Sequence, residues 1–242
     1  MKRNYQSELD GILDRITIRP TAEAPEVKPS LLLHACCAPC SSYVIEYLAS
    51  YFDISIYYYN PNIHPRQEYE RRLHELESFL PRFPPALENR VRLIRANYDV
   101  REFEDAVRIT ENPELASEAE RGERCRRCYE LRIKHAYEYA REHSFDWFTT
   151  TLSISPFKDA DKINDIGEKL EASGGPRFLT GDFKKRNGFK RSLEISKEYG
   201  MYRQEYCGCK YSLVKMQALD LRKPALKAQP RHIHGDYAKQ TR

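Results

Sequence analysis

A chain of 242 residues with 40% hydrophobic and 31% charged residues is too long for a disulfide-stapled miniprotein and too apolar to stay unfolded, so it should bury one sizeable core. Forty basic against thirty-six acidic residues leave a formal charge of +4, which permits nucleic-acid binding without demanding it. Apolar runs such as Leu31-Leu32-Leu33 are too short to span a bilayer, and Met1-Lys2-Arg3 leads into Glu8 and Asp10 without the apolar stretch of a secretory signal, so a cytoplasmic protein with no membrane contact is expected.

Residues 1–29 mix charges with Pro20, Pro25 and Pro29 and read as an N-terminal extension carrying a short helix around 7–16. Leu31-Leu32-Leu33-His34-Ala35 then reads as a strand, followed by a turn at Pro39 and a helix through Tyr43, Val44, Tyr47 and Leu48. A second strand is predicted over 53–59, a helix over 66–80 through Tyr69, Leu73 and Leu76, and a third strand over 91–96. Helices over 100–108 and 126–142, a fourth strand over 145–152, a helix over 158–170 and a fifth strand over 177–180 complete the series. Alternating strands and helices predict an α/β domain, 30–215, with a mainly parallel five-stranded sheet and helices on both faces. A basic tail, 216–242, follows; from Leu221 onward it carries six Lys or Arg against one acid, Asp236. Ligands of such sheets bind beyond the carboxyl ends of the strands, which is where Cys36 and Cys37 fall.

All seven cysteines lie in three groups: Cys36-Cys37-x-x-Cys40, Cys125-x-x-Cys128 and Cys207-x-Cys209. In a chain without an export signal, paired spacings of this kind bind metal or do redox work more often than they build structural disulfides. The i, i+3 spacing of Cys125 and Cys128 points both sulfurs to one side of a helix start. Cys36 and Cys37 can reach one metal only if the chain turns after the strand, as Ala38-Pro39 suggests. Two such pairs suit tetrahedral zinc or an iron-sulfur cubane equally well on ligand count. A large α/β domain needs no zinc staple, and Cys40, Cys207 and Cys209 remain as further thiols, which favours redox chemistry. Gly208 lets the backbone bend enough to bring the Cys207 and Cys209 sulfurs into bonding range.

Other residues suit an RNA ligand. Lys184, Lys185, Arg186, Lys190 and Arg191 fall together, interleaved with Phe183 and Phe189, and read either as a phosphate-tracking surface or as a solvated face. Tyr59, beside the loop Asn60-Pro61-Asn62-Ile63-His64-Pro65, is placed to stack on a base. His34 and His64 read as proton donors or as structural groups, and Asp182 as a helix cap or a general acid.

The segments Leu33-His34-Ala35-Cys36-Cys37-Ala38-Pro39-Cys40, Tyr58-Tyr59-Asn60-Pro61-Asn62-Ile63-His64-Pro65, Cys125-Arg126-Arg127-Cys128 and Tyr206-Cys207-Gly208-Cys209 together resemble the QueH-type epoxyqueuosine reductases. The resemblance, from about Leu31 to Ser212, implies a variant of the PP-loop, adenine-nucleotide-hydrolase type of fold in which the cysteine loop replaces the phosphate-binding Ser-Gly-Gly-x-Asp-Ser segment. It implies no use of ATP and no cobalamin. The implied reaction is the last step of queuosine synthesis, two-electron removal of the epoxide oxygen from epoxyqueuosine in the anticodon loop of tRNA, with electrons from an external donor. By the same resemblance Cys36, Cys37, Cys125 and Cys128 hold a 4Fe-4S cluster, Cys207 and Cys209 cycle between dithiol and disulfide, and Cys40 is an auxiliary ligand to an additional iron ion. The alternatives are a zinc-stabilised RNA-binding module and a cluster-dependent tRNA sulfur-transfer enzyme.

Overall fold

The computed structural model describes residues 3–17 and 28–222. Helix α1 (Tyr5–Thr17) precedes strand β1 (Ser30–His34), followed by α2 (Ala38–Leu48), β2 (Asp53–Tyr58), α3 (Arg66–Phe79), α4 (Pro84–Glu88) and β3 (Arg92–Arg95). The chain continues through α5 (Val100–Val107), α6 (Glu123–Glu142), β4 (Trp147–Thr150), α7 (Ala160–Glu171), β5 (Arg177–Phe178), α8 (Gly188–Glu198) and α9 (Lys210–Arg222). The five strands form one sheet in the order β3-β2-β1-β4-β5, with every pairing parallel. Leu33 lies between Ile56 on one neighbour and Thr149 on the other.

Because successive side chains of a strand face opposite ways, β1 feeds two cores. Leu31 and Leu33 pack with Val44, Ile45 and Leu48 of α2, with Tyr69, Leu73 and Leu76 of α3 and with Ile195 of α8. Leu32 faces the other layer, among Tyr129, Ile133 and Ala136 of α6 and Ile163 and Ile166 of α7. A strand covered on both faces must be apolar throughout, and the run Leu31-Leu32-Leu33 is the sequence form of that demand. No helix among the described residues is long and apolar enough to cross a membrane.

The structure departs from the sequence reading in four places. The fourth strand ends early because the Thr150 hydroxyl accepts from the Leu152 amide at 3.2 Å and turns the chain into a short 3-10 turn, Thr151–Ile154. Helix α1 belongs to the core and not to a loose extension: Leu9 and Leu13 are buried in the same cluster as Leu31 and Val44. Helix α8 was not visible as a helix because its buried face is made partly of serines that satisfy themselves locally. Ser192 donates to the Phe189 carbonyl at 2.7 Å and Ser196 to the Ser192 carbonyl at 2.5 Å, so the apolar stripe is thin. Helix α9 runs across residue 216, where a basic tail was expected to begin, and the rest of that tail lies outside the described residues.

Helix α7 sits close to β5 at Gly167, where an added Cβ would come within 2.4 Å of the Phe178 ring. Gly167→Ala should therefore overpack this contact and lower stability by roughly 1–3 kcal/mol. Urea denaturation checks this, and an unchanged midpoint would contradict the packing.

Candidate metal and redox centre

From β1 the sheet grows first toward β2 and β3, then the chain returns to add β4 on the other side of β1. The loops leaving β1 and β4 therefore diverge, and the crevice between them is the place where such sheets bind ligands. The first cysteine group lies in the loop after β1. The Ala35 amide donates to the Tyr57 carbonyl at 3.0 Å, which extends the ladder by one residue, and Cys37 then caps α2, whose first turn contains Pro39. That turn brings the Cys36 and Cys37 sulfurs to 3.8 Å and gathers Cys36, Cys37 and Cys40 with sulfurs within 4.8 Å of one another. Gln204 donates to Cys37 Sγ at 3.1 Å.

Cys125 and Cys128 occupy the first turns of α6 and are both buried. The third group is carried by the loop before α9, which Arg72 ties down through the carbonyls of Tyr206 and Cys207, each at 3.3 Å. The His64 amide donates to the Gly208 carbonyl at 2.8 Å. Gly208 has φ of +118°, and a Cβ there would press on Arg72 and Ile63, each at 3.1 Å, so both conformation and space call for glycine. Lys158, only 8% exposed, directs its ammonium to Cys207 Sγ at 2.9 Å.

The three groups meet electrostatically at Arg132. This side chain is 2% exposed, and its Nη2 donates to Asn60 Oδ1 at 2.6 Å, while Asn60 donates in turn to the Ala35 carbonyl at 2.9 Å. Burial opposes the guanidinium charge, but the nearby sulfurs of Cys128, Cys36 and Cys207 favour it, and its pKa is raised. One cysteine from each sequence group thus interacts with a single cation. Hydrogen bonds from Cys37 and Cys40 draw the Cys36 thiol well down, while burial lifts Cys37 to about 12. The bond from Cys209 and the Lys158 ammonium draw Cys207 well down. Burial raises Cys125 and lifts Cys128 to about 11. None of the seven cysteines is in a disulfide. Two buried donors in this region, Arg132 Nε and Tyr129 Oη, have no hydrogen-bond partner, and Tyr129 interacts with Lys158, Cys125, Cys207 and Cys128. Thiolate ligands with unspent donors around them fit a sulfur-rich, negatively charged inorganic group.

The remaining expected residues divide by position. Tyr59 is buried, stacked on His135 with centroids 3.7 Å apart and bonded to Glu102, so it is not open to a base. His34 is buried between Thr150 Oγ1 at 2.8 Å and the Tyr59 carbonyl at 3.0 Å; burial, with Arg132 adding to it, lowers its pKa to about 3 and keeps the ring neutral. The His64 side chain is exposed, and its backbone secures the Cys207 loop. Asp182 is buried and accepts from Lys184 at 2.5 Å; Arg186 pairs with Asp10 and Arg191 with Glu46 at 2.6 Å. Lys185 and Lys190 are exposed.

Arg72, Arg132, Lys158 and Gln204 were missed. Arg72 and Arg132 left a signal: each lies on the apolar stripe of its helix, Tyr69-Arg72-Leu73-Leu76 and Tyr129-Arg132-Ile133-Ala136. A cation on such a stripe is buried and needs anions. Lys158 and Gln204 lie outside helices and carry no such pattern.

If Lys158 holds Cys207 as a thiolate, Lys158→Met should slow alkylation of Cys207 in metal-free, reduced protein at pH 7 by about tenfold, and Lys158→Arg should retain most of the rate. Mass spectrometry of the labelled peptide reads the rate, and equal rates in all three proteins would remove Lys158 from this role.

Comparison with known proteins agrees with this geometry. The model of the family described as epoxyqueuosine reductase QueH matches residues 31–215, a span that contains every cysteine. Among similar proteins, the epoxyqueuosine reductase QueH of Streptococcus pyogenes serotype M1 is 43% identical over 221 residues, covering 91% of this chain and 84% of that protein. That of Haemophilus influenzae is 41% identical over 198 residues, covering 81% and 76%, and that of Thermotoga maritima 32% over 189 residues, covering 77% and 91%. On these matches, and on the cysteine arrangement they share a span with, the chain belongs to the epoxyqueuosine reductase QueH family.

Proposed function

We propose that this protein is an oxidoreductase that converts epoxyqueuosine to queuosine in the anticodon loop of tRNA, the final step of queuosine synthesis. The observation that carries the reading is the gathering of the cysteine groups at the crevice where the parallel sheet reverses its order: Cys36, Cys37 and Cys40 have sulfurs within 4.8 Å of one another after β1, Cys128 and Cys209 share one buried cluster, and Cys207 lies against Lys158. A position of this kind suits catalysis better than scaffolding, because the sheet and its two cores already hold the domain together. The strand order, with the cysteine loop at the end of the first strand, supports a variant of the PP-loop, adenine-nucleotide-hydrolase type of fold.

Cys36, Cys37, Cys125 and Cys128 would hold a 4Fe-4S cluster, and Cys40, whose sulfur lies within 4.8 Å of Cys36 and Cys37, would reach an additional iron ion. Such a centre supplies single electrons and a Lewis acid for the epoxide oxygen. The rest falls to the chain. Reducing the epoxide to an alkene and water takes two electrons and two protons; closing the Cys207 thiolate and the Cys209 thiol to a disulfide releases two electrons and one proton, and solvent water supplies the second proton. Lys158 keeps Cys207 as the thiolate from which this exchange starts. An external electron donor then reopens the disulfide. The base must leave the loop to reach the crevice, as reading of single-stranded RNA usually requires, and the exposed Lys185 and Lys190 suit flanking phosphates.

Anaerobic purification with iron and acid-labile sulfide analysis tests the assignment. The protein should carry about four iron and four sulfide per chain, or slightly more iron. Cys36→Ala and Cys125→Ala should each lose the cluster, while Cys207→Ala keeps it and loses turnover. Stoichiometric zinc with no turnover would instead identify an RNA-binding module. Colourless protein that reduces the substrate would refute the cluster.

A further inference from the structure

The reaction scheme leaves one large cavity without a role. A cleft of about 800 Å³ has helix α1 on one side, contributing Gln6, Ser7 and Asp10, and the residues before α7 and after β5 on the other, with Asp159, Asp182 and Lys185. Its volume is in the range of sites that enclose a small polar ligand. Lys158 is also part of the lining. Its ammonium lies 2.9 Å from Cys207 Sγ, so one residue belongs both to the cleft lining and to the surroundings of the redox sulfur.

The wall built by α1 is fixed. Leu9 and Leu13 are buried in the main core, Arg3 donates to both carboxylate oxygens of Glu168 on α7 at 2.7 Å, and Asp10 accepts from the Tyr47 hydroxyl at 2.9 Å and from Arg186. Yet α1 precedes residue 31, where the match to the family model begins. A segment outside the matched region thus forms one side of a cavity whose lining includes the residue paired with Cys207.

We infer that this cleft is the substrate pocket and that helix α1 is its outer wall, enclosing the modified nucleoside of the anticodon loop with its epoxide-bearing ring toward Lys158. The inference rests on the reductase reading and adds the subsite that reading lacks. The lining has the mixed chemistry this ligand needs. Asp159 and Asp182 can accept from the hydroxyls and the secondary ammonium of the substituent, and Lys185, exposed and without an ion-pair partner among the described residues, can meet a phosphate at the mouth.

Ser7 is exposed on α1 and lines the cleft, so Ser7→Trp should fill the pocket without disturbing the buried face of the helix. Asp14, exposed on the same helix and outside the lining, provides Asp14→Trp as a control of equal bulk. The measurement is the affinity for tRNA carrying epoxyqueuosine and for the same tRNA without the modification, on cluster-loaded protein of wild-type melting temperature. Wild-type protein and Asp14→Trp should prefer the modified tRNA, whereas Ser7→Trp should lose about tenfold or more in that preference while binding unmodified tRNA as before. If Ser7→Trp does not fold, Lys185→Trp blocks the cleft from the opposite wall and should lose the same preference. A folded blocking variant that keeps the wild-type preference overturns the inference. Wild-type protein that shows the preference but no turnover would count against the reductase reading alone and leave the pocket standing.

Discussion

The guanidinium of Arg132 is the charge on which the site depends. A lone buried cation is costly, and this one lies near the lowered thiols of Cys36 and Cys207 and the sulfur of Cys128 and is anchored by Asn60, which is itself bonded to the backbone after β1. The arrangement works in both directions. The sulfurs make burial of the arginine tolerable, and the arginine sets where α6, the β1 loop and the loop before α9 come together. Arg72 repeats the device on the other side, with its carbonyl bonds holding the Cys207 loop and Glu68 at 2.7 Å balancing its charge.

The parallel sheet explains why the cysteines can be so far apart in sequence and still converge. Its strand order opens a crevice beside β1, and the loops after β1 and β4 both end there. The first loop delivers Cys36, Cys37 and Cys40; the segment after the second delivers Lys158. Helix α6, packed across β1 and β4 through Tyr129, Ile133 and Ala136, presents Cys125 and Cys128 from its first turns. Two thiols with lowered pKa, Cys36 and Cys207, then lie among buried neighbours pushed the other way.

Much of this was legible in the chain itself. The strands announce themselves through β-branched and aromatic content, and the grouping of every cysteine identifies the site before any geometry. What the sequence could not convey is charge placement. Tyr59 reads as a loop aromatic but is buried against His135, because the pleat that sends Tyr58 into one core sends Tyr59 into the other. The basic stretch from Lys184 reads as free cations, yet Asp182, Asp10 and Glu46 neutralise three of them. Asp182 is a local partner two residues from Lys184, but Asp10 and Glu46 come from distant parts of the chain, so no local pattern could reveal them. Helix α1 shows the same limit: its periodicity was visible, but its docking onto the main core is a tertiary fact.

The central claim is that one iron-containing centre is held jointly by the loop after β1 and the start of α6. Anomalous scattering at the iron absorption edge, recorded from crystals grown without oxygen, addresses it most directly. Iron density bonded to the sulfurs of Cys36, Cys37, Cys125 and Cys128 is the predicted result. A zinc signal in its place, or iron bound by only one of the two segments, would contradict the account.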